Sequence, residues 1–200
     1  MSSKLLIGVS GIIGVGKSTL TDSLGSHMDL KIFQEPVKTN EYLSKFYEDM
    51  NRYAFPMQVY LLNHRFRQYQ QMIWENKNCV QDRTIYEDVI FAKLLNRSGI
   101  INDLDFKTYM QLFENMTSFI RYPDIMVFLD VEPEKAMERV NKRGRECEKD
   151  ISLEYLVTLR DGYEEWLKDI EGKVPIIRLD WDTYQDTEKV AELIKKKLSM

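Results

Sequence analysis

Gly11-Ile12-Ile13-Gly14-Val15-Gly16-Lys17-Ser18-Thr19 satisfies the pattern G-x4-G-K-[ST] in full. An apolar run, residues 5–10, precedes it and reads as a strand; the residues from Lys17 onward read as a helix. Strand, glycine loop and helix in that order give the pattern its meaning. The glycines let backbone N–H groups point into the loop and approach phosphate oxygens. The helix N-terminus adds a favourable partial charge. On this reading residues 11–19 wrap the phosphates of a nucleoside triphosphate, Lys17 bridges its β- and γ-phosphates, and the Ser18 hydroxyl holds Mg²⁺.

Outward from the loop, four further apolar runs read as buried strands, at residues 32–34, 79–81, 125–130 and 174–179. Long amphipathic stretches separate them. That alternation predicts an α/β fold, a five-stranded parallel sheet with helices on both faces. Ile125-Met126-Val127-Phe128-Leu129 is continuously apolar, as a strand buried on both sides must be. Pro56 is placed in the first turn of a helix running to Trp74. Pro133 is expected to open another through Arg143, with Gly144 ending it, and 187–198 is expected to be the last. The Lys195-Lys196-Lys197 run could suggest lipid or nucleic acid binding, but it suits the C-terminal end of that last helix.

The 200 residues suffice for one domain with one core, and 44% hydrophobic with 30% charged residues is ordinary for a soluble globular chain. A net charge of −4 argues against broad capture of nucleic acid, so a small substrate is expected. Cys79 and Cys147 match no zinc spacing and read as two reduced thiols, which fits a cytoplasmic compartment. No signal peptide is read at the start, and no apolar run approaches a membrane span.

Transferring a phosphoryl group requires further cations. Arg139 and Arg143 are four apart and share a helix face, and Arg145 follows Gly144. Beside a phosphate loop, this cluster reads as an arginine-rich lid at about 139–150 that contacts ATP; a solvated basic helix end is the alternative.

In chain order the motifs are 11–19, Glu35-Pro36-Val37, the pair Tyr47 and Gln58, Asp82-Arg83-Thr84, and Arg139-x3-Arg143-Gly144-Arg145 with Glu148 beyond. Together they resemble the deoxynucleoside kinase family, especially its bacterial deoxyadenosine and deoxyguanosine kinase branch, from Ile7 to about Trp166. The resemblance implies ATP, Mg²⁺ and a deoxynucleoside as partners, and a homodimer.

Glu35 ends the second strand, where ligands of open parallel sheets sit. A carboxylate there can accept a proton from an attacking hydroxyl; the resemblance implies that role toward the 5′-OH, and a helix-capping charge is the alternative. Asp82 can hold Mg²⁺, and Arg83 can orient the catalytic carboxylate, unless the two form a structural ion pair or cap. Gln58 and Arg65 are seven apart on one helix, about 20° apart in angle, so both can line one wall. A glutamine amide suits a base edge, and the family's glutamine reads the base. Arg65 with Asp88 matches the pair of purine- and cytidine-type members and argues against a thymidine specialist, although it would also serve as a simple salt bridge. Tyr47 and Glu148 match the residues that hold the sugar 3′-OH, with ordinary core packing the alternative for Tyr47.

Three positions depart from the animal members. Asn40 stands where a tryptophan is expected, Cys147 breaks an acidic pair, and Ala92 stands where a phenylalanine would stack on the base, with Phe91 one place early. Ala92 is expected to leave the base pocket wider. The donor adenine is expected near Arg139 and the loop 180–185, with Trp181 and Tyr184 either stacking on it or packing elsewhere. Deoxyadenosine is the first expected acceptor, then deoxyguanosine and deoxycytidine. A nucleoside monophosphate kinase of the thymidylate kinase type, or a nucleotide-binding regulatory subunit, would share the loop.

Overall fold

Leu6–Ser10 (β1) is buried at every position, and it occupies the middle of the sheet. The other strands are Lys31–Phe33 (β2), Cys79–Asp82 (β3), Ile125–Asp130 (β4) and Ile176–Asp180 (β5). Their order is β2-β3-β1-β4-β5, and every pairing is parallel. A computed structural model describes residues 4–36 and 40–199; Val37 of the Glu35-Pro36-Val37 motif and the side chain of Cys147 lie outside the described residues.

The expected fold class holds, and the strand limits move by one or two residues. β5 begins at Ile176 rather than 174, because Pro175 has no N–H to give the ladder. Its carbonyl still accepts from Met126 N at 2.9 Å. In β4, Ile125 to Leu129 are all buried. Each such aliphatic side chain stabilises the fold by about 1.5–3 kcal/mol relative to exposure.

Among the described residues eight α-helices carry the connections: Lys17–Met28 (α1), Tyr42–Glu48 (α2), Met50–Glu75 (α3), Asp88–Arg97 (α4), Asp103–Thr117 (α5), Pro133–Arg143 (α6), Leu153–Ile170 (α7) and Thr187–Leu198 (α8). α1 packs against α8, while α3, α4, α5, α6 and α7 pack among themselves in a second group. α6 opens on Pro133 and stops at Gly144, whose left-handed φ of 64° favours a residue without a Cβ. α8 spans the residues read from sequence, and Lys195, Lys196 and Lys197 occupy its last turn.

The placement of Pro56 is corrected. It lies inside α3, six residues after Met50. The start is set by Asp49, whose Oδ1 accepts from Arg52 N at 3.1 Å. α3 is therefore nearly two turns longer toward its N-terminus than expected, and Gln58 and Arg65 sit well inside it. Cys79 is a free thiol buried in β3, and burial pushes its pKa up to about 11, as suits an inert reduced cysteine.

The registers bring the carboxyl ends of the strands level. Val9 pairs with Asp82 and Ser10 with Phe128, so the glycine loop after β1 lies between the end of β3 and the start of the turn after β4. Glu35 follows β2 by two residues. The helix start makes a prediction. Asp49→Ala should lower stability by about 1 kcal/mol in urea unfolding, because the cap is lost. Pro56→Ala should cost nothing, since an alanine restores an N–H inside the helix. A loss at Pro56→Ala as large as that at Asp49→Ala would return the helix start to Pro56.

Candidate active site

The glycine loop is held by contacts that only glycine permits. Gly14 has φ 87°, and a Cβ there would lie 2.6 Å from the Ala136 carbonyl oxygen. Ile12 and Val15 bury their side chains in the core and leave the loop to backbone groups. Of residues 11–19, Ile13, Gly14, Gly16, Lys17, Ser18 and Thr19 line a cleft of about 390 Å³, whereas Gly11, Ile12 and Val15 do not. Lys17 Nζ donates to the carbonyls of Gly11 at 3.0 Å and Ile12 at 2.9 Å. Burial, with Arg83 nearby, lowers its pKa to about 8, and an anionic ligand would restore it.

Ser18 Oγ donates to Asp82 Oδ2 at 2.5 Å. Asp82 Oδ1 is buried and has no hydrogen-bond partner. Burial pushes the Asp82 carboxyl up, against the pull of Lys17. An orphaned carboxylate oxygen beside a hydroxyl, at the mouth of a phosphate loop, fits a divalent cation that also binds phosphate oxygens and water. Among the described residues no cluster of three His, Cys, Asp or Glu side chains could cage a metal.

Across the cleft, Glu35 Oε1 meets two arginines, Arg65 Nη2 at 2.9 Å and Arg83 Nε at 3.0 Å. Arg65 also pairs with Asp88 Oδ1 through Nη1. Partial burial alone would raise the Glu35 pKa, but Arg83, Arg65 and Lys17 outweigh it and hold the carboxyl at about 2. Arg83 stands one residue past β3 with φ 63°, a left-handed conformation that costs an arginine about 1–3 kcal/mol.

The wall beyond holds the predicted base-reading residues. Gln58 is 2% exposed, and its Oε1 has no partner in the fold. Asp88 Oδ2 and Arg65 Nε are likewise buried and unpartnered. Burial raises the Asp88 pKa to about 7 despite Arg65. Unsatisfied donors and acceptors side by side suit a ligand with both on one edge. Tyr47 and Glu148 line the same cleft. Arg143 pairs with Glu148 Oε2, and Arg145 Nη1 lies 3.1 Å from Glu148 Oε1. Arg139 is tied down instead. Its guanidinium donates to the carbonyls of Val15, Trp181 and Asp182 at 2.7–3.0 Å, and lies 4.4 Å from the centre of the Tyr184 ring.

One expectation changes, and two open alternatives are decided. Ala92 is fully buried and does not reach the cleft, so it does not widen the base pocket. Phe91 faces the cleft in its place, with the Arg83 guanidinium 4.6 Å from its ring centre. One residue along a helix turns the side chain by about 100°, and α4 presents position 91. Of the two aromatic candidates near the donor side, Trp181 is core, while Tyr184 lines the cleft over Gly16. Sequence reasoning missed Tyr155, Glu87 and Tyr163. Tyr155 lines the cleft; the other two contact Arg83 or its neighbour from behind. The spacing Thr84-x-x-Glu87 marks Glu87 only as a capping-box residue, and no local motif marks the two tyrosines; Tyr163 meets Arg83 across 80 residues.

Comparison with known proteins agrees with this geometry. A family model described as "Deoxynucleoside kinase" matches residues 7–199. A deoxyadenosine kinase of Dictyostelium discoideum is 50% identical over 189 residues, covering 94% of this chain and 77% of that protein. A deoxyadenosine/deoxycytidine kinase of Bacillus subtilis (strain 168) is 36% identical over 195 residues, covering 94% and 89%. Among solved structures, a deoxyadenosine kinase from M. mycoides with the products dCMP and a flexible dCDP bound superposes with a TM-score of 0.86. It is 33% identical, with 98% of this chain and 99% of that one covered.

The depressed Glu35 pKa carries a pH signature. Glu35 holds its proton less tightly in the folded state than in the unfolded chain, so its stabilising ion pairs are complete above about pH 4.5 and fade toward about 2. In urea unfolding, the stability gap between the wild type and Glu35→Gln should be constant above about pH 4.5 and shrink below it. A gap that stays constant down to pH 3 would mean that Glu35 is not held by Arg65 and Arg83 in solution.

Proposed function

The chain belongs to the deoxynucleoside kinase family, and from that premise we propose that it transfers the γ-phosphate of ATP to the 5′-OH of deoxyadenosine, and also to deoxycytidine and deoxyguanosine. The observation that carries this reading is Glu35 lining the same cleft as Lys17, braced by Arg65 and Arg83. In this reading residues 11–19 cradle the ATP phosphates, and Ser18 with Asp82 holds Mg²⁺. That ion neutralises phosphate charge when bound. Lys17, Arg143 and Arg145 face the charge that spreads over the transferring group. Arg139 and Tyr184 form the platform beside which the donor adenine would rest.

A carboxylate held at about 2 is a weak base. Its work is to orient the 5′-OH and to take the proton late, once the new P–O bond has made that hydroxyl acidic. Arg83 keeps the carboxylate ionised and aimed. Gln58, Arg65 and Asp88 read the base, and Phe91 supplies the aromatic surface next to it. Tyr47 and Glu148 hold the 3′-OH. An acceptor that already carried a 5′-phosphate would meet the Glu35 charge, which disfavours a nucleoside monophosphate kinase. The M. mycoides relative's dCMP product and the Bacillus relative's two bases support a pocket that takes both adenine and cytosine.

For assembly and location, the reading includes a homodimer in the cytoplasm. Exposed Ile73, Trp74, Leu104 and Phe119 are apolar surface that a second copy would cover. Among the described residues no helix is long and apolar enough to cross a membrane.

The test is a phosphorylation assay with ATP and Mg²⁺ against the four deoxynucleosides, their ribose counterparts and their monophosphates. Deoxyadenosine should give the highest kcat/KM. Glu35→Gln should lower kcat by about 10²–10⁴-fold with ATP affinity unchanged. Unchanged turnover in that variant would end the assignment of Glu35 as base, and preference for a monophosphate would replace the acceptor assignment.

A further inference from the structure

Behind the cleft floor lies a set of buried groups that the proposed chemistry does not use. Glu87 and Tyr163 are fully buried, and both are polar. Arg83 donates through Nη1 to the Tyr163 hydroxyl oxygen, and Tyr163 in turn donates to Glu87 Oε2 at 2.9 Å. The other carboxylate oxygen of Glu87, Oε1, accepts from Thr84 N at 2.8 Å and lies 3.3 Å from Thr84 Oγ1. Thr84 directly follows Arg83, so Glu87 grips the backbone just beyond the left-handed residue as well as the far end of its side chain.

We propose that Glu87 and Tyr163 are positioning residues for phosphoryl transfer, together fixing the backbone and guanidinium of Arg83 so that the guanidinium stays beside Glu35 as an ion-pair partner. The proposal rests on the reading of Glu35 as the base. A left-handed arginine persists only where its surroundings determine it from several sides. Here Arg83 N donates to Val9 O at 3.0 Å, Thr84 is tied to Glu87, and the guanidinium is bracketed by the Phe91 and Tyr163 rings at 4.6 and 6.0 Å.

The direction of the hydrogen bonds matters. The Tyr163 proton is committed to Glu87, so its oxygen is available to Arg83 as an acceptor. Engaged there, Nη1 is held away from Glu35, and Nε lies 3.0 Å from Oε1 as an ion pair without an aligned hydrogen bond. Without the tyrosine oxygen, Nη1 would be buried without an acceptor. The guanidinium would then turn to grip Glu35 through two nitrogens, a stronger pairing that draws the carboxylate away from the acceptor hydroxyl. Glu87 supplies the second negative charge that lets a buried arginine serve one carboxylate without collapsing onto it.

The experiment measures kcat, KM and melting temperature for Tyr163→Phe, Glu87→Gln and the double variant, below the melting temperature of each. Each single substitution should lower kcat about tenfold while KM for the deoxynucleoside and for ATP stays within about twofold. Because both act along one path, the double variant should lose no more than the worse single one. Wild-type kcat in the singles, losses that multiply in the double, or failure of both singles to fold would each overturn the proposal in favour of a purely structural role. Glu35→Gln assayed alongside separates the two readings. If it is inactive while Tyr163→Phe turns over normally, only the positioning proposal falls; if it is fully active, the base assignment itself falls.

Discussion

Glu35 Oε1 receives two arginines, and the cleft floor depends on that convergence. Arg65 is 1% exposed and Arg83 2%. A buried guanidinium without a counter-charge costs several kcal/mol, so neither could stay where it is alone. The fold answers with a row of alternating charge: Asp88, Arg65, Glu35, Arg83 and, through the Tyr163 hydroxyl, Glu87. Each member compensates its neighbour, so none can be removed without leaving another unpaired. Asp88 and Glu87 close the two ends of the row, and Glu35 in its middle is the one member that is a quarter exposed to the cleft. A rigid, buried row therefore presents a single carboxylate to an incoming hydroxyl.

The parallel sheet makes that row possible. Strands running the same way end on the same side, which brings Glu35 after β2, Arg83 after β3 and the glycine loop after β1 into one layer. The charges sit beyond the strand ends, where the ladder no longer needs apolar neighbours. α3 then crosses that layer with Gln58 and Arg65, and α4 starts at Asp88, next to the strand end it serves. α7 reaches the same point from the other side of the chain. It begins just past the turn that carries Glu148 and delivers Tyr163 to Arg83.

How much of this could be read from sequence depends on the range of the contacts involved. Lys17 acts on a loop five or six residues away, and the motif that encodes it is contiguous. The alternation of apolar runs was enough for the sheet, because burial on both faces leaves a continuous apolar signature. Pro56 misled because proline is tolerated both in a first turn and, at a cost, inside a helix, and the cap at Asp49 is a weaker signal than the proline. Ala92 misled by one position, which on a helix is a change of face. Glu87 and Tyr163 were illegible for a different reason. A glutamate in a short turn and a tyrosine in an amphipathic helix are ordinary residues until the fold joins them across 76 positions.

The two halves of the cleft hold their cations in different ways. Lys17 rests on two neutral carbonyls, and Arg143 and Arg145 share one carboxylate, Glu148, at the partly exposed lid. These partners are exchangeable, since a triphosphate offers each cation a stronger one. Arg65 and Arg83 are themselves buried, and so cannot give up the carboxylates they rest on. On the proposed reading the donor half is thus built to rearrange around ATP, and the acceptor half is built to stay still. Glu148 joins the halves. It holds both lid arginines and lines the same cleft as Glu35 and Lys17.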